Sequence, residues 1–195
     1  MSDTIDYYEE VLLLRKKVEK YETLLTGVNE MTTFDFGNGL VPAHQHPNGG
    51  GWVADTATVS KTAYVGHDAV VFDNAKVYGN AQVSGNAGVF GDARVFGNAV
   101  VDGDAWVDGD ALVYDNAEVF GNVVVYGNAV VYGDAVVYGN AKVYGNARVS
   151  GNAWVFSDAE VFGNAWVYDD AWVSGRARVY DDAMVSGNAW VYDNA

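Results

Sequence analysis

Val77-Tyr78-Gly79-Asn80-Ala81-Gln82 is one copy of a six-residue unit that runs from Trp52 to Ala195. From Val53 to Val191 a valine recurs at every sixth position, through twenty-four successive hexads. Written from the valine, the unit is Val, then mostly Tyr, Phe, Ser or Asp, then Gly or Asp, then Asn or Asp, then Ala and a variable residue. The position two before the valine is alanine except at Gly51 and Val123. A fixed short period over three quarters of a chain marks a solenoid, in which each turn buries its apolar side against its neighbours.

The unit has a direct physical reading. The variable residue, the valine and the following aromatic form a short extended piece, so the valine points one way and its two neighbours the other. Gly with Asn or Asp supplies a corner, because these residues tolerate left-handed backbone angles that β-branched residues resist. Alanine fits where the backbones crowd after the bend. A meander of hairpins would reverse the chain at every turn, and strands of three residues pair poorly in that arrangement. Identical corners every six residues turn the chain the same way each time, which favours a coil.

The valine preceded at two residues by a small partner resembles the hexapeptide repeat of left-handed parallel β-helices, the triangular prisms of bacterial acyltransferases. The resemblance covers residues 52–195 and fails in the small position only at the hexad containing Val123, with Gly51 replacing alanine at the start. It departs beside the valine, where the family carries small or acidic residues and this chain has Tyr or Phe in fifteen of twenty-four hexads. The resemblance implies an all-β solenoid of three hexads per coil, left-handed, with about eight triangular coils stacked to roughly 38 Å. Its handedness comes from the family alone, against the usual right-handed crossover. An eighteen-residue layer then stacks Lys142, Glu160 and Arg178 as a plus–minus–plus ladder, and Trp154, Trp172 and Trp190 on another face.

The three parts of the chain are residues 1–27, 28–51 and 52–195. In the first, the spacing predicts a helix over residues 4–26, capped by Ser2 or Asp3 and ended by Gly27. Thr4, Tyr7, Val11, Leu14, Val18, Tyr21 and Leu25 fall on an a/d seam, widened by Leu12, Leu13 and Leu24. This seam reads either as a helix folded back on the prism or as a short parallel coiled coil. The second reading agrees with the family, whose prisms are trimers as a rule.

Residues 28–51 read as connector and cap. Thr33-Phe34-Asp35-Phe36 reads as a short strand and Gly37-Asn38-Gly39 as a turn, while Pro42, Pro47 and Gly49-Gly50-Gly51 rule out a helix. Phe34, Phe36, Leu40 and Val41 are the expected plug of the first coil, whose edge otherwise invites association. His44 and His46, two apart on an extended segment, would point the same way. Three chains would then bring six imidazoles to a threefold axis, a set that suits a transition metal and resembles the His-x-His sites of trimeric phage fibres. The plainer alternative is a pair of solvent-facing histidines.

Composition narrows the function. Cysteine is absent, which removes disulfides, thiol nucleophiles and thiolate metal sites. No apolar run approaches a membrane span and no signal peptide opens the chain, so a soluble, cytoplasmic protein is expected, with a virion as the other location. The net charge of −15 argues against nucleic acid.

Acyltransferases of the resembled family interrupt their coils with a loop and use a histidine as general base. Here no hexad is interrupted. His67, at a corner beside Asp68, is the only histidine of the repeats and becomes the base only under that reading, with acyl-CoA as co-substrate. Asp92 and Asp110 would stack on one corner, either as solvated carboxylates or around a calcium ion. Asn-rich corners suit side-chain hydrogen-bond ladders.

The outward positions carry the main functional indication. Tyr126, Tyr144, Phe162 and Tyr180 share one face, and Phe96, Tyr114 and Tyr132 the next. Tyr138 adds to the i+1 set, and Trp106, Trp154, Trp166, Trp172 and Trp190 stand before valines. Stacked aromatics stabilise a coil by themselves, yet apolar patches this continuous mark interfaces. The expected function is a non-catalytic trimeric rod or binding module, resembling phage- or prophage-borne hexapeptide proteins. Its partner would be a protein, a glycan or a small molecule. The alternatives are a protein that sequesters a nucleotide-like ligand in aromatic clefts, and an acyltransferase. A cofactor is expected only for the last. The final coil ends at Ala195 without a cap, so either the native chain continues or this end docks.

Overall fold

The computed structural model describes residues 13–21 and 32–195. The chain divides into two compact units, Met1–Thr32 and Thr33–Ala195. In the first, residues 13–21 are helical. Within that unit Leu14, Val18 and Tyr21 of the seam are exposed. Thr4, Tyr7, Val11, Leu12, Leu24, Leu25 and the two predicted ends of this helix lie outside the described residues.

The second unit is a parallel β-solenoid. Strands β1 (Thr33–Asp35) and β2 (Leu40–Gln45) form an antiparallel hairpin, and β2 pairs antiparallel with β3 (Trp52–Ala54). From β3 onward a short strand recurs every sixth residue as far as Trp190–Val191. Each pairs in parallel with the strand eighteen residues away, as in Val53 with Val71 and Val71 with Val89. Three sheets result, which wall eight coils. The first face begins at the hairpin, the second at β4 (Thr58–Val59) and the third at β5 (Tyr64–Val65).

The valine and alanine columns form one continuous core, with every sixth-residue valine from Val65 to Val173 fully buried. Two or three residues of strand per side cannot hold a sheet alone. The same backbone groups are satisfied along the stack, as where Lys76 N donates to Ala93 O and Tyr78 N to Val95 O. At the corners, Gly or Asp takes positive φ, for example 71° at Gly79 and 61° at Asp115. A Cβ on Gly97 would sit 2.9 Å from the Asp115 carbonyl oxygen of the next coil. Of the positive-φ corners occupied by Asp or Ser, Asp73, Asp115, Ser157 and Asp169 all have glycine eighteen residues on. A side chain at one corner is accommodated by its absence at the next.

The cap differs from the expected plug. Phe34 and Phe36 lie on the outer side of the first sheet instead: Phe34 stacks on Trp52 at 4.6 Å and Phe36 on Phe72 of the second coil at 5.0 Å between ring centroids. Leu40 and Val41 stay 72 and 40% exposed and plug nothing. The hairpin extends the first sheet edgewise, so its alternate side chains follow the sheet's two faces rather than the tube's mouth. Asp35 Oδ1 accepts from Gly37 N and Gly39 N at 2.8 and 2.9 Å, which fixes the predicted turn and holds its carboxyl below the usual range.

The third face is closed by residues 46–51. His46, buried, has Nε2 3.0 Å from the Ala63 carbonyl oxygen, Asn48 Nδ2 donates to the same oxygen, and Gly51 N donates to Val65 O. His44 remains outside, with Nδ1 2.9 Å from Asp55 Oδ1. The two histidines differ in burial and in hydrogen-bond partner. The strand itself ends at Gln45, one residue before His46.

Candidate functional site

Outward side chains beside each valine lie in columns because the register never slips. On the first face Tyr126, Tyr144, Phe162 and Tyr180 stack with centroids 4.9, 4.8 and 5.3 Å apart. On the second, Tyr78, Phe96, Tyr114 and Tyr132 stack at 4.8, 4.8 and 5.1 Å. On the third, Phe120, Tyr138 and Phe156 stack at 5.2 and 4.9 Å. Alongside them Trp154, Trp172 and Trp190 stack at 5.2 and 5.3 Å. These spacings follow the separation of paired strands, about 4.8 Å, so the backbone sets the ring geometry. The arrangement is offset or parallel stacking of flat rings, each edge-on to solvent.

Burial is partial throughout. Tyr132, Tyr138, Tyr144, Trp154, Phe162, Trp166 and Trp172 are half-buried, whereas Trp106, Tyr126, Tyr180 and Trp190 are exposed. Trp106 stands apart, edge-on to Phe90 at 5.4 Å, because its column neighbours Gly88 and Val124 carry no ring. Desolvation raises the pKa of the Tyr114 and Tyr126 phenols, with a further push from the neighbouring Tyr132 and Tyr144. The predicted charge ladder is present on the first face. Glu160 lies 3.7 Å from Lys142 Nζ and 3.3 Å from Arg178 Nε, and Arg178 rests 4.9 Å over the Phe162 ring.

Corner amides form the ladders expected of them. Asn80 donates to Asn98, Asn98 to Asn116, and Asn116 to Asp134; a second run goes from Asn128 through Asn146 and Asn164 to Asp182. Each run ends on an aspartate, since an ionised carboxylate accepts but has nothing to donate onward.

Polar candidates are placed differently. His67 is exposed at its corner and, among the described residues, makes no hydrogen bond to Asp68. Among the described residues no group of three or more His, Asp or Glu side chains is placed to hold a metal ion within the chain. His46 Nε2 is already engaged, leaving only its Nδ1 as a ligand atom. No described helix is long and apolar enough to cross a membrane.

Among the described residues, two clefts of the solenoid bear on the ladders and the cap. One, of about 660 Å³, lies between the hairpin and the corner bearing Asp73 and Asp92. The other, of about 370 Å³, lies on the third face between Phe156, Trp172, Trp190 and Tyr192, with Ser174 at its floor. Nothing in the repeat formula singles out this second cleft. Its only trace in the sequence is a serine where the ladder on either side has a ring.

Stacked coils, a valine core and outward ring ladders define a β-solenoid repeat protein. Residues 125–139, 141–156 and 177–193 match the family described as YdcK Beta solenoid repeat, and the chain is similar to that family there. Those stretches include Tyr126, Tyr144 and Tyr180 of the first face and Tyr138, Trp154, Phe156 and Trp190 of the third. No curated protein and no solved structure matches the chain.

Proposed function

We propose that the protein is a non-catalytic binding rod, assembled as a homotrimer through its N-terminal helix, that presents ring ladders to a partner. The observation that carries this reading is the run of three or four stacked, part-exposed rings on each face. Rings that served stability alone would gain by being covered, and contiguous apolar surface of this kind is typical of interaction sites. Leu14, Val18 and Tyr21, exposed within their unit, support assembly through the helix. Left-handed coiling, phage or bacterial origin and a cytoplasmic location accompany this reading through the hexapeptide resemblance and the acidic, cysteine-free composition.

The mass of the full chain in solution, by light scattering, tests the assembly. A value three times 20.9 kDa is expected; a monomer overturns it. Thermal shifts against glycans, nucleotides and acyl-CoA test the partner class, and acyl-CoA turnover lost on His67→Ala would restore the enzyme. A second reading, sequestration of a small planar ligand, is favoured by the cleft at Ser174.

A further inference from the structure

The ladders have internal gaps where serine replaces a ring, and one of these gaps shows what such a vacancy accepts. On the second face Ser150 lies between the ladder positions of Tyr132 and Tyr168. The gap is not empty. Trp166, from the following coil, leans into it, packs on Tyr168 at 4.6 Å and donates its indole Nε1–H to Ser150 Oγ at 3.1 Å. Ser150 is only 4% exposed as a result. A serine vacancy in this solenoid is therefore an indole site, with an apolar slot for the ring and a hydroxyl acceptor for its nitrogen.

Ser174 occupies the equivalent place on the third face, between Phe156 and Tyr192. Trp190 follows it by sixteen residues, as Trp166 follows Ser150. Yet Trp190 does not fill the gap. It stacks on Trp172 at 5.3 Å and is 66% exposed, and the cleft of about 370 Å³ remains. The neighbouring coil explains the difference. Trp166 has Arg148 behind it in its column, which offers no ring to stack on, whereas Trp190 has Trp172, which holds it upright.

We infer that the Ser174 slot binds an indole ring carrying a short cationic arm. Phe156 and Tyr192 are two coils apart, roughly 9.6 Å at the usual strand spacing, which is the room one intervening ladder ring occupies. Trp172 and Trp190 wall the side, Ser174 supplies the acceptor, and Asp193 at the rim supplies a carboxylate for the arm. The chain's net charge of −15 disfavours an anionic arm. The inference deepens the small-ligand reading of the same cleft. It concerns a single chain, so its failure leaves the trimer untouched and a monomeric mass leaves the slot untouched.

Calorimetric titration of the full chain with tryptamine tests it. Saturable binding in the millimolar range or tighter is expected, and indole-3-acetate is expected to bind at least tenfold more weakly. Ser174→Tyr fills the vacancy as the ladder does elsewhere; it should abolish binding without lowering the melting temperature. Ser174→Ala, and separately tryptamine methylated on the ring nitrogen, should each weaken binding roughly three- to tenfold, the worth of one neutral hydrogen bond. Absence of saturable binding overturns the proposal, as does a Ser174→Tyr variant that binds normally or ring methylation that changes nothing.

Discussion

A glycine that breaks the repeat shows how a single residue can resist its own consensus. Gly51 holds a position that is alanine in nearly every other hexad, and its backbone angles are ordinary. A Cβ there would overlap the Gly66 carbonyl oxygen and stand 2.6 Å from Val65 Cγ1 and 2.7 Å from Ala69 O. The crowding arises because the incoming chain crosses the third face at this point. Gly51→Ala, a consensus substitution, should therefore destabilise by about 1–3 kcal/mol and lower the melting temperature by roughly 2–10 °C. An unchanged or higher melting temperature would refute the close approach. The phenols give a second residue-level test. Tyr114 and Tyr126 titrate above the usual tyrosine range because burial disfavours the phenolate. A folded pKa above the unfolded one means their contribution is complete below pH about 10 and is lost as pH rises through the folded value. Tyr114→Phe with Tyr126→Phe should remove the latest phase of phenolate absorbance on alkaline titration and move alkaline unfolding to higher pH.

At the scale of elements, the amide ladders are directional. Asn122 donates to Asn140 and Asn140 to Asp158, so replacing the middle member by aspartate removes one donor and sets two carboxylates a coil apart. Asn140→Asp should cost about 0.5–1.5 kcal/mol at pH 7, with most of the loss recovered below pH about 4 as the carboxylates protonate. A pH-independent loss in denaturant titrations would assign it to packing instead. The solenoid tolerates such neighbours where they are well solvated, as the exposed Asp92 and Asp110 show on successive coils. The ladders also mark how far sequence reading reaches. Strand spacing, coil number, the Lys142–Glu160–Arg178 ladder and the tryptophan column were all legible, because an uninterrupted period converts position directly into register. The cap was less so. Residues 33–51 lie outside the period, and whether Leu40 faces the tube or solvent depends on how the hairpin joins the first sheet. Nor does the period reveal that Trp166 fills one serine gap while Trp190 leaves another open. That choice belongs to side-chain rotamers and to the identity of a residue eighteen positions earlier.

For the solenoid as a whole, stability is close to one-dimensional: each coil touches only the coils on either side, so its free energy is an intrinsic term plus two interfaces. Two consequences separate this fold from a globular domain with one central core. First, equal substitutions should cost unequal amounts along the axis. Val131 is fully buried with coils on both sides, whereas Val59 and Val185 pack only partly against the core. Val131→Ala removes the equivalent of two methylenes and leaves a cavity between rigid coils, a loss of about 2 kcal/mol. Val59→Ala should cost less than about half as much, because part of that surface is already in water. Second, opening should propagate from weak coils rather than occur all at once. In native-state hydrogen exchange the amides of the middle coils, such as Tyr114 N and Tyr132 N donating to Val131 O and Val149 O, should be the slowest. Those near Val185 should exchange first. Val131→Ala should then create a second fast zone in mid-solenoid, flanked by protected coils on either side. Uniform acceleration of every amide in that variant would instead mean that the coils unfold as one unit.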